Sequence, residues 1–169
     1  MSKTEKDLAE AFAGESQANR KYLAFAKQAE KEGFGQIARL FRAAAAAETV
    51  HAHAHLKAME GVRSTAENLK EALEGEIHEF KNMYPAMIAN AEAEGHKAAK
   101  RSFAFANEVE KIHAGLYEKA LAALTSDATM PDTGYHVCSV CGYTCEGEAP
   151  DKCPVCGAGK KAFFAPDEG

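Results

Sequence analysis

The sequence predicts a mainly α-helical protein: a four-helix bundle with one long crossover, followed by a small β module held together by metal. Three observations predict it. Apolar residues recur every three or four positions through four long segments, the spacing of one face of a bundle helix. The pattern Glu-x-x-His occurs twice, as Glu48-Thr-Val-His51 and Glu110-Lys-Ile-His113. All five cysteines lie between Cys138 and Cys156.

The composition excludes several classes. The 169 residues carry a formal charge of -5, which argues against a nucleic-acid surface. No apolar run approaches the roughly 20 residues that cross a membrane. The opening MSKTEKDLAE lacks the apolar core of a signal peptide, so a cytoplasmic location is expected. In a reducing compartment, clustered cysteines indicate metal binding rather than disulfides.

The first helix is expected over residues 3–32, with Leu8, Phe12, Glu15, Asn19, Tyr22, Ala26 and Ala29 facing inward. Gly33-Phe-Gly35 breaks it. The second carries Ile37, Phe41, Ala44, Glu48, His51 and His55 on its inward stripe and ends at Gly61. Ser64-Thr-Ala-Glu67 reads as a capping box that restarts helix. The third stripe is Leu69, Leu73, Glu76, Phe80, Met83, Met87 and Asn90, with Pro85 inside it, which predicts a kink. Gly95 marks a turn, and the fourth stripe runs from Ala99 through Phe103, Glu110, His113 and Tyr117 to Leu124. Short turns join the first helix to the second and the third to the fourth. The link over residues 61–75 is long enough to cross the bundle, the ferritin-like arrangement.

The halves repeat. Ala29, Gly33, Arg39, Phe41, Glu48 and His51 recur 62 positions later as Ala91, Gly95, Arg101, Phe103, Glu110 and His113, and Tyr22 recurs as Tyr84. Glu15 breaks the offset by falling on Ile77, between Glu76 and Glu79. The third helix thus offers two carboxylates where the first offers one. A helical irregularity near residues 76–84, a π-bulge, is expected there.

Residues three apart share a helix face, so each Glu-x-x-His aims a carboxylate and an imidazole at one point. The inward polar set is Glu15, Glu48, His51, Glu76, Glu79, Glu110 and His113, on the same stripes as Phe12, Phe41, Phe80 and Phe103. Burying so many carboxylates unpaired costs several kcal/mol each. They must be protonated or neutralised by cations, and the paired spacing favours cations. Mixed carboxylate and imidazole ligands suit iron or manganese; zinc also fits, without redox chemistry. Tyr22 and Tyr84, one to two turns beyond Glu15 and Glu79, can donate hydrogen bonds to ligand carboxylates. His53 and His78 are expected on the surface.

Residues 125–134, TSDATMPDTG, are polar. The division expected is a helical domain at 1–128, a linker at 129–134 and a small domain at 135–169. About 35 residues are too few for an apolar core to be stable alone. Cys138-Ser-Val-Cys141-Gly and Cys153-Pro-Val-Cys156-Gly form two knuckles whose four thiolates suit a tetrahedral metal. Zinc there would be structural; iron would carry one electron. Cys145 is left over as a free thiol.

The two parts together resemble the rubrerythrin family over nearly the whole chain. The resemblance rests on GESQANRKY, ETVHAHAHL, TAENLKEALEGEIHEFKNMYP, EVEKIHAGLY and YHVCSVCGYTCEGEAPDKCPVCG, in that order. It implies a ferritin-like four-helix bundle holding two iron ions and a rubredoxin-like domain holding one. By resemblance, Glu15, Glu48, Glu76, Glu79, Glu110 and His113 are the di-iron ligands of the oxidised state. His51 matches the residue that replaces Glu79 at one iron on reduction. Tyr22 and Tyr84 match tyrosines bonded to the ligands, and Cys138, Cys141, Cys153 and Cys156 match the ligands of the Fe(Cys)4 centre. The implied activity is reduction of hydrogen peroxide to water under oxidative stress. Electrons would come through the Fe(Cys)4 centre from an NAD(P)H-linked external reductase or free rubredoxin. A homodimer is implied, with the rubredoxin-like domain of one chain near the bundle of the other. A ferroxidase or iron store, and a redox-silent zinc protein, are the competing readings.

Overall fold

The computed structural model describes residues 2–126 and 128–166. Asp127 of the polar stretch and the ends of the expected domains, residues 1 and 167–169, lie outside them. The fold is mostly helical, with four long helices and a small antiparallel sheet. The chain forms two compact units, Met1–Arg63 and Ser64–Gly169.

In the first unit, α1 (Lys3–Lys31) and α2 (Gly35–Ala58) form an antiparallel hairpin. Ser2 and Glu5 cap α1 reciprocally. Its other end closes with Phe34 N–H on the Ala29 carbonyl and Gly33 N–H on that of Glu30. Gly33 takes φ +85°, a conformation glycine adopts without steric cost. The packing seam is alanine: Ala26 and Ala29 of α1 and Ala38, Ala45 and Ala52 of α2 are all buried. Side chains this small let the helices approach closely, and Phe41 packs against the alanine cluster at its edge. Ile37, expected inward, is 47% exposed, while Ala38 beside it is fully buried. Asn19 is buried and pins the hairpin, its amide donating to the Ala45 carbonyl (2.7 Å) and to Thr49 Oγ1 (2.9 Å).

The second unit opens with α3 (Thr65–His78), started by the Ser64–Glu67 capping box. Glu79–Met83 then form a π-helical turn, and α4 (Tyr84–Ala93) continues the rod. The irregularity expected near residues 76–84 is therefore a π turn. Pro85 sits in the first turn of α4, where its missing N–H costs little. Ala91 is the buried residue of α4, whereas Met87 and Asn90, expected inward, are exposed. Gly95, at φ +69°, repeats the Gly33 turn, and His96 N–H closes on Ala91. α5 (Lys97–Thr125) runs back along α3 and α4. The ring pair Tyr22–Phe41 of the first unit (6.2 Å) recurs as Tyr84–Phe103 (6.3 Å). None of the described helices is long and apolar enough to cross a membrane.

The cysteine-rich segment forms a three-stranded sheet in the order β2-β1-β3, from β1 (Tyr135–Cys138), β2 (Thr144–Glu146) and β3 (Phe163–Phe164). β1 pairs antiparallel with both neighbours, Val137 facing Thr144 on one side and Phe164 on the other. Its largest fully buried side chain is Cys138. The thiols thus occupy the place an apolar core would take.

Candidate metal centres

Among the described residues, three groups of potential ligands converge, each within 4.8 Å. The first comprises Glu15 of α1 and Glu48 and His51 of α2. His51 Nδ1 lies 2.8 Å from Glu48 Oε2, the contact that i, i+3 spacing brings about. The His51 side chain is 56% exposed.

The second comprises Glu76 of α3 and Glu110 and His113 of α5. His113 Nδ1 lies 2.8 Å from Glu110 Oε2 and 3.7 Å from Glu76 Oε1. Burial pushes the Glu76 carboxyl up to about 7, reinforced by the charges of Glu110 and Glu79 and opposed by His113. Burial also raises Glu110. Carboxyls held this way favour either a proton or a cation. Glu79, first residue of the π turn, lies outside the 4.8 Å group, but its charge acts on Glu76 and Tyr84. The Tyr84 phenol is raised first by burial, then by Glu79, Glu110 and Glu76. Tyr22, its counterpart, packs beside Phe25 and Phe41. His53 and His78 are exposed, as expected.

Sequence reasoning missed two neighbours of this group. Tyr117 is one, its phenol raised by burial and by Glu76 and Glu110. The other is Thr144, whose Oγ1 lies 3.0 Å from His113 Nε2 and donates to the Gly142 carbonyl at 3.1 Å. Tyr117 stands on the predicted α5 stripe, which could have flagged it. Thr144 carries no such signal, because its contact spans 31 residues and depends on how β2 docks on α5. Lys119 of α5 makes a second tie to β2 through Glu146 Oε2, at 2.5 Å.

The third group is Cys138, Cys141, Cys153 and Cys156. Their sulfurs pair at 3.7 Å (Cys138–Cys156) and 3.6 Å (Cys141–Cys153). Burial opposes ionisation of Cys153, but the backbone N–H groups of Cys156 and Val155 and the nearby thiols draw it down to about 7. The Tyr143 and Ala158 amides likewise favour the thiolates of Cys141 and Cys156, against burial that raises both. Amides aimed at sulfur suit a metal-bound tetrathiolate. Cys145 stands apart, near the carbonyls of His136 and Glu148.

Fold and ligand groups together define a helical carboxylate–histidine metalloprotein with an appended four-cysteine metal centre. Comparison with known proteins gives the class its family. The family described as Rubrerythrin matches residues 6–121, and the Rubrerythrin, rubredoxin-like domain matches residues 136–164. The chain is 40% identical to nigerythrin of Nitratidesulfovibrio vulgaris, over 96% of this chain and 86% of that one. It is 39% identical to rubrerythrin of Porphyromonas gingivalis, over 98% and 90%. A solved structure titled as a mixed-valence state of nigerythrin covers 98% of this chain and 88% of its own, with 37% identity and a TM-score of 0.58. The chain belongs to the rubrerythrin family. Its cofactors are those of the family, a di-iron carboxylate site and one iron in a four-cysteine site, and the donor groups fit both.

Proposed function

We propose that this chain is a cytoplasmic hydrogen peroxide reductase. In this reading residues 1–128 form the di-iron domain, 129–134 a linker and 135–169 the electron-delivering domain. The ligands of the oxidised di-iron site are Glu15, Glu48, Glu76, Glu79, Glu110 and His113, with His51 taking the place of Glu79 on reduction. Cys138, Cys141, Cys153 and Cys156 hold the third iron. When bound, the di-iron group supplies two electrons that, with two protons, convert hydrogen peroxide into two waters.

The chain's own residues provide the setting. Glu110 and Glu76 hold the Nδ1 side of His113 at the ligand cluster. Hardness explains the exchange: iron(III) prefers the anionic Glu79, whereas iron(II) accepts a neutral imidazole. Burial, and then the charges of Glu79, Glu110 and Glu76, keep the Tyr84 phenol protonated.

The observation that carries this reading is the seating of the cysteine-rich sheet on α5, through Thr144–His113 and Lys119–Glu146. An iron store gains little from a built-in one-electron centre held against its ligands, whereas repeated peroxide turnover needs one. The proposed partners are an external NAD(P)H-linked reductase or free rubredoxin, and a second copy in a homodimer. The test is to reduce the iron-loaded protein without oxygen and titrate it with peroxide. Stoichiometric, repeatable reoxidation of both centres is expected. Growth of a mineral core would favour a ferroxidase instead, and a colourless, zinc-filled native protein would sink both.

A further inference from the structure

We propose that Thr144 is a positioning residue for the metal ligand His113, reaching it from the four-cysteine sheet. The inference rests on the assignment of His113 as a ligand and deepens it. An imidazole offers one nitrogen to a metal only if its ring is held and the other nitrogen carries the proton. Nδ1 of His113 faces Glu110 and Glu76. Nε2 faces Thr144 Oγ1 at 3.0 Å, and Thr144 Oγ1 reaches the Gly142 carbonyl at 3.1 Å.

Once Nδ1 is given to a metal in place of its 2.8 Å contact with Glu110 Oε2, the donors and acceptors close in one direction. The Gly142 carbonyl only accepts, so it takes the Thr144 hydroxyl proton. Thr144 Oγ1 is then left as an acceptor, and His113 Nε2–H must donate to it. That tautomer leaves the lone pair on Nδ1, the nitrogen turned toward the carboxylates. The chain of bonds ends one residue from Cys141, so one hydroxyl links the metal ligand to the four-cysteine loop, beside the Lys119–Glu146 tie.

The test uses the full chain and does not depend on turnover. With zinc in every site, nitrogen-15 NMR of the His113 ring should show zinc on Nδ1 and a proton on Nε2. Zinc bound to Nε2 would overturn the proposal without any variant. Replacing the hydroxyl in Thr144→Val should speed release of zinc from the carboxylate site to a chelator by about 10-fold, the lower end for loss of a ligand's outer partner. Thr144→Ser should stay near wild type. The visible spectrum of the iron-loaded four-cysteine site reports whether that sheet still folds, and it should be the same in all three proteins. Equal release from the Val variant and wild type, or equal acceleration in Val and Ser, would also refute the role of the hydroxyl. Failure to turn over peroxide would count against the proposed activity and leave this inference standing.

Discussion

His51 and His113 each place Nδ1 2.8 Å from the glutamate three residues earlier, yet their surroundings differ. Each has a second carboxylate close by, Glu15 for His51 and Glu76 for His113, but His113 also has its far nitrogen against Thr144. The difference comes from the sheet that follows α5, not from the motif. A duplicated motif acquires separate roles when its neighbours change.

The largest effect that can break this comparison is removal of each histidine in turn. His113→Ala should weaken metal retention at the carboxylate site by on the order of 100-fold or more, beyond the range for loss of an outer partner. His51→Ala should leave the oxidised site filled and slow peroxide turnover. Metal content and single-turnover kinetics separate the two, and equal metal loss in both variants would abolish the proposed asymmetry.

The next effect is on pH. Glu76 rises from an ordinary 4.5 to about 7 in the metal-free chain. Between those values the folded state holds more protons than the unfolded one, so stability falls as pH rises through the window and levels above it. Glu76→Gln should flatten that slope in urea titrations across the window. Metal affinity should run the other way, strengthening with pH as the carboxyl loses its proton.

A smaller effect should come from the seam of the first hairpin. Asn19→Ala removes two bonds that tie α1 to α2, worth about 1–2 kcal/mol and readable as a lower urea midpoint. The smallest concerns the turns. Glu30 pairs with Arg42 and its counterpart Glu92 with Lys100, at 2.6 and 2.7 Å, all on the surface. Arg42→Ala should leave the midpoint unmoved, because exposed pairs contribute little.

Much of this was readable from local chemistry. Ser64–Glu67 marks a helix start, Gly33 and Gly95 mark turns, and the two knuckles mark a thiolate site; each is a short-range rule that neighbours do not alter. The face of α2 was less legible. Phe41 packs on the seam as its stripe implies, but Ile37 yields its place to Ala38, because close helix approach selects the small side chains Ala38, Ala45 and Ala52. Both Glu-x-x-His motifs were visible, whereas Thr144 was not, since a docking contact leaves no periodicity behind.

The π turn has a history that the numbering records. Leu8, Phe12 and Glu15 meet their counterparts Leu69, Leu73 and Glu76 after 61 positions, while Tyr22, Ala29 and Gly33 meet Tyr84, Ala91 and Gly95 after 62. The mismatch of one falls between Glu76 and Tyr84, where Glu79–Met83 wind as a π turn. A π turn lets a helix absorb one extra residue and keep its axis. A single-codon insertion in one copy of a duplicated hairpin therefore accounts for the widened turn. Glu79 opens that turn, so the fifth carboxylate and the break in symmetry trace to the same small event in the gene.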